Sequence, residues 1–399
     1  MPFSYQTTMR ACFVGYIVQA IINNFAPLLF LTFQNSYRIP LEQITLLVTI
    51  NFAVQLLVDL GSAKFVDKIG YRASILIAHG AAAAGLVFLA VLPEWMDPFA
   101  GLLIGVVTYA VGGGIIEVLI SPIMEGCPTD NKEKAMSLLH SFYCWGHVGV
   151  VLLSTLFFQL AGMENWRVLA LVWALIPLGN GLVFLKTPIA PPVAEGERGM
   201  TLGELFRSRL FWLFLAMMVC SGASEQAVSQ WASAFAEEGL GVTKAVGDLA
   251  GPMAFAALMG ISRAIYGRWG HKINLNSFML FSGLLCMAAY LLASLSPWPA
   301  LSLAGCGLCG FSVGIMWPGT FSKASASLRA GGTAMFALLA LGGDLGCSAG
   351  PTLVGFASSL PGGMKAGILT AIVFPAVMTA CLLLQRKKSR AGEASASRE

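Results

Sequence analysis

The stretch Ala63-Lys-Phe-Val-Asp67-Lys-Ile-Gly70-Tyr-Arg72 has a counterpart 200 residues later, Arg263-Ala-Ile-Tyr-Gly267-Arg-Trp-Gly270-His-Lys272. Both stretches are basic, both follow a long apolar run, and both have a glycine two residues before their last cation. Further matches at a similar offset would indicate an internal repeat, because chance similarity between two loops does not extend along a chain.

Two such matches exist in the same order. Pro122 and Pro318 are 196 residues apart, and Gly146-His-Val-Gly149 precedes Gly343-Asp-Leu-Gly346 by 197 residues. Three near-equal offsets predict two parallel copies of one helical half, which is the arrangement of two-bundle transporters with a central site.

The composition indicates that lipid, and not water, surrounds most of the chain. Of 399 residues, 57% are hydrophobic and 11% charged, and the mean hydropathy is +0.75, whereas soluble domains carry about 25% charged residues. Backbone groups in hydrocarbon must be satisfied internally, so an all-α integral membrane protein is expected. Long apolar runs that do not alternate predict twelve transmembrane helices near 9–34, 42–66, 72–93, 98–125, 134–161, 165–186, 209–236, 244–266, 275–295, 299–321, 331–357 and 363–385.

A polar stretch with three prolines, between Lys186 and Arg209, divides these segments six plus six. We therefore predict an N-terminal six-helix bundle (1–186), a cytoplasmic linker (187–208), a C-terminal six-helix bundle (209–385) and a basic cytoplasmic tail (386–399).

The distribution of Lys and Arg predicts the orientation. With both termini in the cytoplasm, 20 of the 24 basic residues fall on the cytoplasmic side, and the other 4 are Arg38, Arg167, Lys244 and Lys365. This bias is the one that the positive-inside rule describes. It predicts a multi-pass protein of a bacterial inner membrane with both ends in the cytoplasm.

The six-plus-six layout and the stretch around Asp67 resemble the major facilitator superfamily over essentially the whole chain. The resemblance implies that fold and assigns a gating role to the loop and its weaker copy, through Asp67, Lys68, Gly70, Arg72, Arg268 and Gly270. An alternative interpretation is a solvated charged turn that sets topology.

Shorter stretches resemble the fucose/hexose–proton symporter branch of that family. They are Asn23-Asn24, Glu117 with Pro122 (where Ser121 replaces the branch's Asn), Leu138–Phe142, and Trp231 to Glu237-Glu238. The branch also keeps a proton-carrying Asp just beyond its Asn pair, where this sequence has Pro27 and its neighbours. The resemblance implies a sugar–proton symporter but leaves the proton route open.

Titratable residues are rare inside the predicted spans, and placing a charge there costs about 3 kcal/mol or more. They are Glu117, Glu225, Asp344, His140 and His147, and no Lys or Arg is predicted at midplane depth. We expect Glu117, with Asp344 and His147, to carry protons; the alternative for each is a hydrogen bond to a neighbouring helix. Asp59 is expected to support the Asp67 loop.

Polar and aromatic residues at helical spacing predict the solute site. The candidates are Gln19, Asn23, Asn24, His140, Tyr143, Glu225, Gln226, Trp231 and Trp317. Amides and imidazoles could bind hydroxyl groups and aromatic rings could cover C–H surfaces, although interhelical packing is an alternative for each. Because no buried Arg is predicted, phosphate esters and dicarboxylates are disfavoured as solutes.

Together these features predict secondary active transport of a small polar solute, a sugar or polyol, coupled to protons by alternating access. The alternatives are efflux of a drug or metabolite, and a non-transporting membrane sensor or assembly factor. No enzyme motif, cofactor, metal site or nucleic-acid partner is predicted, and we expect a monomer in the lipid bilayer. The Cys306-x-x-Cys309 pair is interpreted as helix packing.

Overall fold

The computed structural model describes residues 4–128, 132–189, 200, 202–269, 272–328 and 332–396, and these residues form helices and no strand. Eleven helical segments in this part of the chain are long and apolar enough to cross a membrane. A further 27-residue helix, Gly332–Ser358, occupies the eleventh predicted position. The all-helical prediction is therefore confirmed, with each helix close to its predicted place.

We number the twelve helical segments in chain order. They are α1 (Tyr5–Tyr37), α2 (Leu41–Gly61), α3 (Ile69–Glu94), α4 (Pro98–Glu125), α5 (Lys132–Ala161), α6 (Trp166–Phe184), α7 (Arg209–Ser229), α8 (Lys244–Tyr266), α9 (Leu275–Leu295), α10 (Pro299–Ala324), α11 (Gly332–Ser358) and α12 (Gly363–Gln385). A short helix, Leu202–Arg207, precedes α7.

Two local breaks have clear causes in the sequence. In α1 the α-helix ends at Asn24 and a 3₁₀ turn, Ala26–Leu29, follows around Pro27, which cannot donate a backbone hydrogen bond. The helical path that continues from α2 into α3 is broken at Gly70, the second residue of α3, where φ is +81° and ψ is 159°. A side chain rarely adopts that conformation, so the glycine of the repeated stretch is required by the turn.

The helices alternate in direction, which defines two sides of the molecule. We call the side where α1 begins the terminal side, and the side of the α1–α2 connection the far side. Tyr37, Glu94 and Arg167, from the ends of α1 and α3 and the start of α6, bond to one another on the far side. Thr8 donates to the carbonyl of Pro188 on the terminal side, at 2.7 Å.

The two halves meet through two pairs of helices, α2 against α11 and α5 against α8, and the repeat relates one pair to the other because it matches α2 with α8 and α5 with α11. The hydroxyls of Thr49 on α2 and Thr352 on α11 are 2.5 Å apart. In the other pair, Gly260 of α8 lies against Cys144 of α5. Each half therefore contributes one helix to each of these two contacts, which we call the seams. The residues between the two seams form the centre of the molecule.

Candidate transport and coupling site

Four buried amides from α1 and α2 form a cluster at the centre of the first half. Gln19 Nε2 donates to Gln55 Oε1 at 2.9 Å, and Gln55 Nε2 donates to Asn23 Oδ1 at 2.9 Å and to Asn51 Oδ1 at 3.0 Å. All four side chains are buried. They are brought together because Gln19 and Asn23, like Asn51 and Gln55, are four residues apart and share one helix face. Amides in this number offer both donors and acceptors to a hydroxylated molecule.

A small cavity lies beside this cluster. It is lined by the amides of Asn23, Asn51 and Gln230, by the rings of Tyr109 and Phe30, and by apolar side chains. Its free volume of about 10 Å³ is roughly what one water molecule needs, so a solute can enter only after the surrounding helices move.

Three carboxyl groups from three helices meet next to the amides. Asp59 of α2, Glu117 of α4 and Asp344 of α11 each place an oxygen within 4.8 Å of the others. Glu117 Oε2 accepts from Gln19 Nε2 at 3.0 Å. Carboxylates this close to one another repel, and a proton shared between two of them would relieve that repulsion. We call these three residues the acid cluster.

The structure places the Asp59 side chain beside Asp344 and Glu117 in the centre of the molecule. Its expected support of the Asp67 loop stays a prediction, because the Asp67 side chain lies outside the described residues. The stripe Asn51, Gln55, Asp59, at steps of four residues, was a signal for this position, because its first two members are in the amide cluster. Three oxygen donors could also suit a hard cation, so the absence of a metal site remains a prediction.

Side chains of α7 join the second half to the amide cluster. Gln230 Nε2 donates to the backbone oxygen of Asn23 at 2.9 Å and to Gln226 Oε1 at 3.0 Å, and Gln226 Nε2 lies 3.4 Å from Glu225 Oε1. Gln230 was not among the sequence candidates, although it follows Gln226 by one helical turn. We call the connected residues from Glu117 through the amides to Glu225 the polar layer.

The polar layer ends in a buried ion pair, which corrects the expectation that no cation lies at this depth. Arg263 Nη2 of α8 is 3.3 Å from Glu225 Oε2, and both side chains are mostly buried. Arg263 Nη1 and Nε also lie 3.3 Å from Cys144 Sγ and the Gly314 backbone oxygen. The predicted span 244–266 already contained Arg263 near its end, but the guanidinium extends back toward Glu225. The argument against anionic solutes, which rested on the absence of such an Arg, no longer holds.

The three α5 candidates lie along the first half's side of this centre. Tyr143 accepts a hydrogen bond from Asn24 Nδ2 at 3.5 Å, and the ring of His140 meets the ring of Tyr16 edge-on, with 5.4 Å between centroids. His147 is 1% exposed. Asp344, its repeat equivalent, lies in the acid cluster with Asp59 and Glu117.

The two tryptophan candidates have different surroundings. Trp231 is fully buried, donates to the backbone oxygen of Pro351 at 2.8 Å, and packs on Phe30 of the other half with 5.2 Å between ring centroids. Trp317 lies so close to Gly343 that an added methyl group there would be 2.1 Å from its ring. Trp231 therefore contacts both halves, whereas Trp317 packs against α11 within its own half.

Arg72 of the gating stretch binds the end of α6. Its guanidinium donates to the backbone oxygens of Phe184, Leu185 and Thr187 at 2.7, 2.8 and 2.8 Å. Carbonyls at a helix end have no partner within the helix, so a cation stabilises them. The side chains of Asp67, Lys68 and Arg268, and the whole of Gly270, lie outside the described residues, so their gating role remains a prediction.

A second buried ionic cluster, which the sequence did not reveal, closes the far side. Lys244 Nζ donates to the Leu28 backbone oxygen at 2.6 Å and lies 3.2 Å from Glu237 and 3.3 Å from Asp248. Asp248 also accepts from Thr155 of α5 at 3.2 Å. We call Lys244, Glu237 and Asp248, with their partners Leu28 and Thr155 in the first half, the far-side latch. The sequence predicted Lys244 only as one of the four basic residues that are not on the cytoplasmic side.

Solved structures of two transporters share this fold. The fucose:proton symporter FucP of E. coli is 17% identical, covers 96% of this chain and 99% of its own, and superposes with a TM-score of 0.67. A bacterial homologue of the human lysosomal transporter Spinster, in an inward-facing and unoccupied conformation, is 15% identical, with coverage of 95% and 96% and a TM-score of 0.74. The same homologue in an inward-facing and occupied conformation is 16% identical, with a TM-score of 0.72. No curated protein matches the chain by sequence.

These likenesses concern the fold, and a family profile provides the classification. The profile of the Major Facilitator Superfamily matches residues 11–351. The family, the twelve-helix fold in two related bundles and the general role in membrane transport all follow from this match together with the structural likeness. The protein belongs to the Major Facilitator Superfamily.

Proposed function

We propose that this protein is a secondary active transporter that moves a small, hydroxyl-rich solute, a sugar or a polyol, together with protons. The observation that carries the proposal is the polar layer, in which amides of α1, α2 and α7 lie between the acid cluster and the Arg263–Glu225 pair. Amides of this kind bind hydroxyl groups. Gln19 Oε1 and Asn24 Oδ1 are buried and have no hydrogen-bond partner among the described residues. A drug or hydrophobic metabolite would leave them without one, and unsatisfied buried polar groups are costly.

Proton coupling is proposed for the acid cluster, with Glu117 in the leading role and Asp344 beside it. Asp59 and Asp344 lie together but belong to α2 and α11, two helices of different halves, and a proton on one of them relieves the repulsion between their carboxyl groups. When these halves move apart, the repulsion ends and the proton can exchange with water. His147 is kept as a lesser candidate.

For the remaining features, the proposal follows the sequence. The protein lies in a bacterial inner membrane as a monomer with both termini in the cytoplasm, and residues 187–208 link its two bundles. The stretch around Asp67 gates the terminal side, and the far-side latch closes the other side.

The test is uptake of labelled hexoses and polyols into proteoliposomes with an imposed inward proton gradient. We expect accumulation above the external concentration that collapses when a protonophore is added, whereas liposomes without protein show neither. Protein-dependent export of a hydrophobic drug, with no uptake of any polar solute, would support efflux. Absence of all flux would support a sensor.

A further inference from the structure

The guanidinium of Arg263 has more hydrogen-bonding capacity than its neighbours use. Its contacts within the described residues are Gly314 O, Cys144 Sγ and Glu225 Oε2, each at 3.3 Å. Charge-assisted hydrogen bonds are ordinarily about 2.7–2.9 Å long, and a guanidinium has five N–H groups arranged to hold a carboxylate by two bonds. Arg263 is therefore held loosely, and Glu225 binds it through one oxygen only.

Arg263 also lies where a solute in the polar layer would meet it. Its three contacts come from α5, α7 and α10, so both halves surround it. It is within electrostatic range of Tyr16, Tyr143 and His140. Beyond Tyr143 is the amide of Asn24, and on the other side Glu225 leads through Gln226 and Gln230 to Asn23. The polar layer thus offers a cation at one end and amides between that cation and the acid cluster.

We propose that Arg263 is an anion-binding residue of the transport site and that the solute is a sugar acid, a polyhydroxylated monocarboxylate. The carboxylate occupies the guanidinium and displaces Glu225, while the amides bind the hydroxyl groups. This inference rests on the transport function proposed above and specifies the class of its solute.

The balance of charge favours one carboxylate over a phosphate ester or a dicarboxylate. In the described part of the polar layer and acid cluster, Arg263 is the single cation among the acids Asp59, Glu117, Glu225 and Asp344. One guanidinium can neutralise one negative charge. A second charge on the solute would remain unpaired beside carboxyl groups, and burying an unpaired charge is strongly unfavourable.

Displacement of Glu225 has a consequence for protons. The groups that face Glu225 are Arg263 of α8, Tyr143 and Cys144 of α5, Glu117 of α4 and Cys347 of α11. Of these only Arg263 is a cation, so a displaced Glu225 takes a proton from the aqueous cavity. One anion and one proton then enter the site together, and its net charge does not change.

The test is ligand binding by the purified full chain, measured by isothermal titration with D-gluconate and D-glucuronate and with D-glucose and L-fucose. We expect wild-type protein to bind the sugar acids at least about tenfold more tightly than the neutral sugars. Their binding should be tighter at pH 6 than at pH 8, because a proton is taken up. Equal affinity for acids and neutral sugars would overturn the proposal.

Variants distinguish an anion-binding role of Arg263 from a purely structural ion pair with Glu225. Arg263→Gln should weaken sugar-acid binding by about tenfold to a hundredfold, while Arg38→Gln, at an exposed position, should leave it unchanged. Glu225→Gln should tighten sugar-acid binding and remove its pH dependence, because the competing carboxylate is gone. Wild-type affinity in the Arg263→Gln variant, or loss of binding in Glu225→Gln, would refute the assignment.

Two further outcomes keep the test decisive. If Arg263→Gln does not fold, Glu225→Gln alone decides through its affinity and pH profile. Uptake of a neutral hexose by wild type and by Arg263→Lys at equal rates would leave the proposed transport function intact and reject the anion-binding role of Arg263. Arg263-dependent binding of gluconate without flux of any solute would support anion binding by Arg263 and reject the proposed transport function.

Discussion

At the scale of single residues, the proximity of Asp59 and Asp344 is the feature that most directly connects structure to the proposed coupling. These residues come from two helices of different halves, and Glu117 is adjacent to both. Glu117 accepts a hydrogen bond from Gln19 of α1, so a change in the protonation of Glu117 would alter the hydrogen bonds of Gln19 and of the residues that Gln19 contacts.

We predict that Glu117→Gln abolishes proton-driven accumulation but preserves exchange of solute across the membrane without a gradient. The amide keeps the size and most hydrogen bonds of the carboxyl, so the solute site persists, but it cannot release a proton. The measurement is uptake and counterflow in proteoliposomes, with the exposed Glu42→Gln as the matched control. Normal accumulation by Glu117→Gln would remove this residue from the coupling role.

For single residues, the sequence predicted which side chains share a helix face better than it predicted which neighbours each side chain contacts. Gln19, Asn23 and Glu117 could be identified because polar residues in an apolar helix are costly and are retained for a purpose. Arg263 was missed because a long side chain can extend about one helical turn from its own backbone. Neither length nor hydropathy of a span reports where the tip of such a side chain lies.

At the scale of elements, the glycines of α11 determine how closely it packs on α7. A methyl group added at Gly346 would lie 2.0 Å from the Val219 backbone oxygen, and one at Gly350 would lie 2.3 Å from that of Ala223. Close backbone approach through small residues is a common way for helices to associate in lipid. Gly149 holds the equivalent position in α5, yet nothing lies within 4 Å of a methyl group added there.

We therefore predict opposite effects of one substitution at two equivalent positions. Gly346→Ala should destabilise the protein by about 1–3 kcal/mol or more, because a backbone atom cannot move aside easily. Gly149→Ala should be neutral or stabilising by up to about 1 kcal/mol, since alanine favours a helix. Thermal unfolding of both variants in detergent measures the difference, and equal melting temperatures would contradict the packing described here.

The repeat thus predicted the elements and their order but not the neighbours of each one. Gly149 and Gly346 match in sequence position, but α1 and α7 carry different side chains opposite them. Contacts of this kind depend on how far apart two helices settle, which is a property of the assembled bundle. The far-side latch escaped prediction for the same reason, because Lys244 and Leu28 are 216 residues apart.

At the scale of the whole molecule, transport requires that the far side open and close. Thr49 and Thr352 touch across the seam between α2 and α11, and the latch joins Lys244 and Asp248 to the first half. Because these contacts connect opposite halves, they must separate whenever the central site is reached from the far side.

We predict that the double variant Thr49→Cys/Thr352→Cys forms a disulfide under mild oxidation and stops transport. The two hydroxyl oxygens are 2.5 Å apart, which suits replacement by bonded sulfurs. Reduction should restore uptake, and each single variant should transport in both conditions. Undiminished uptake by the cross-linked protein would show that this seam need not open.

The orientation can be tested independently. A green fluorescent protein fused after Glu399 should fluoresce in cells, and alkaline phosphatase at the same point should be inactive, because the positive-inside rule places this end in the cytoplasm. The reverse result would exchange the proposed roles of the terminal side and the far side without altering the fold.

The mutual hydrogen bonds of Gln19, Asn23, Asn51 and Gln55 have a consequence for the transport cycle as a whole. A carrier that accumulates solute must also change conformation without solute before the next cycle. An empty site with unsatisfied polar groups would retain water, and that water would oppose closure of the site. Here hydrogen bonds among the four amides satisfy most of their polar atoms when no solute is present, and Gln19 Oε1 is left as a buried acceptor without a partner in the described part of the chain. The empty site therefore has few unpaired groups that would retain water. This arrangement of amides therefore favours the conformational change of the unloaded protein more than it favours the binding of solute.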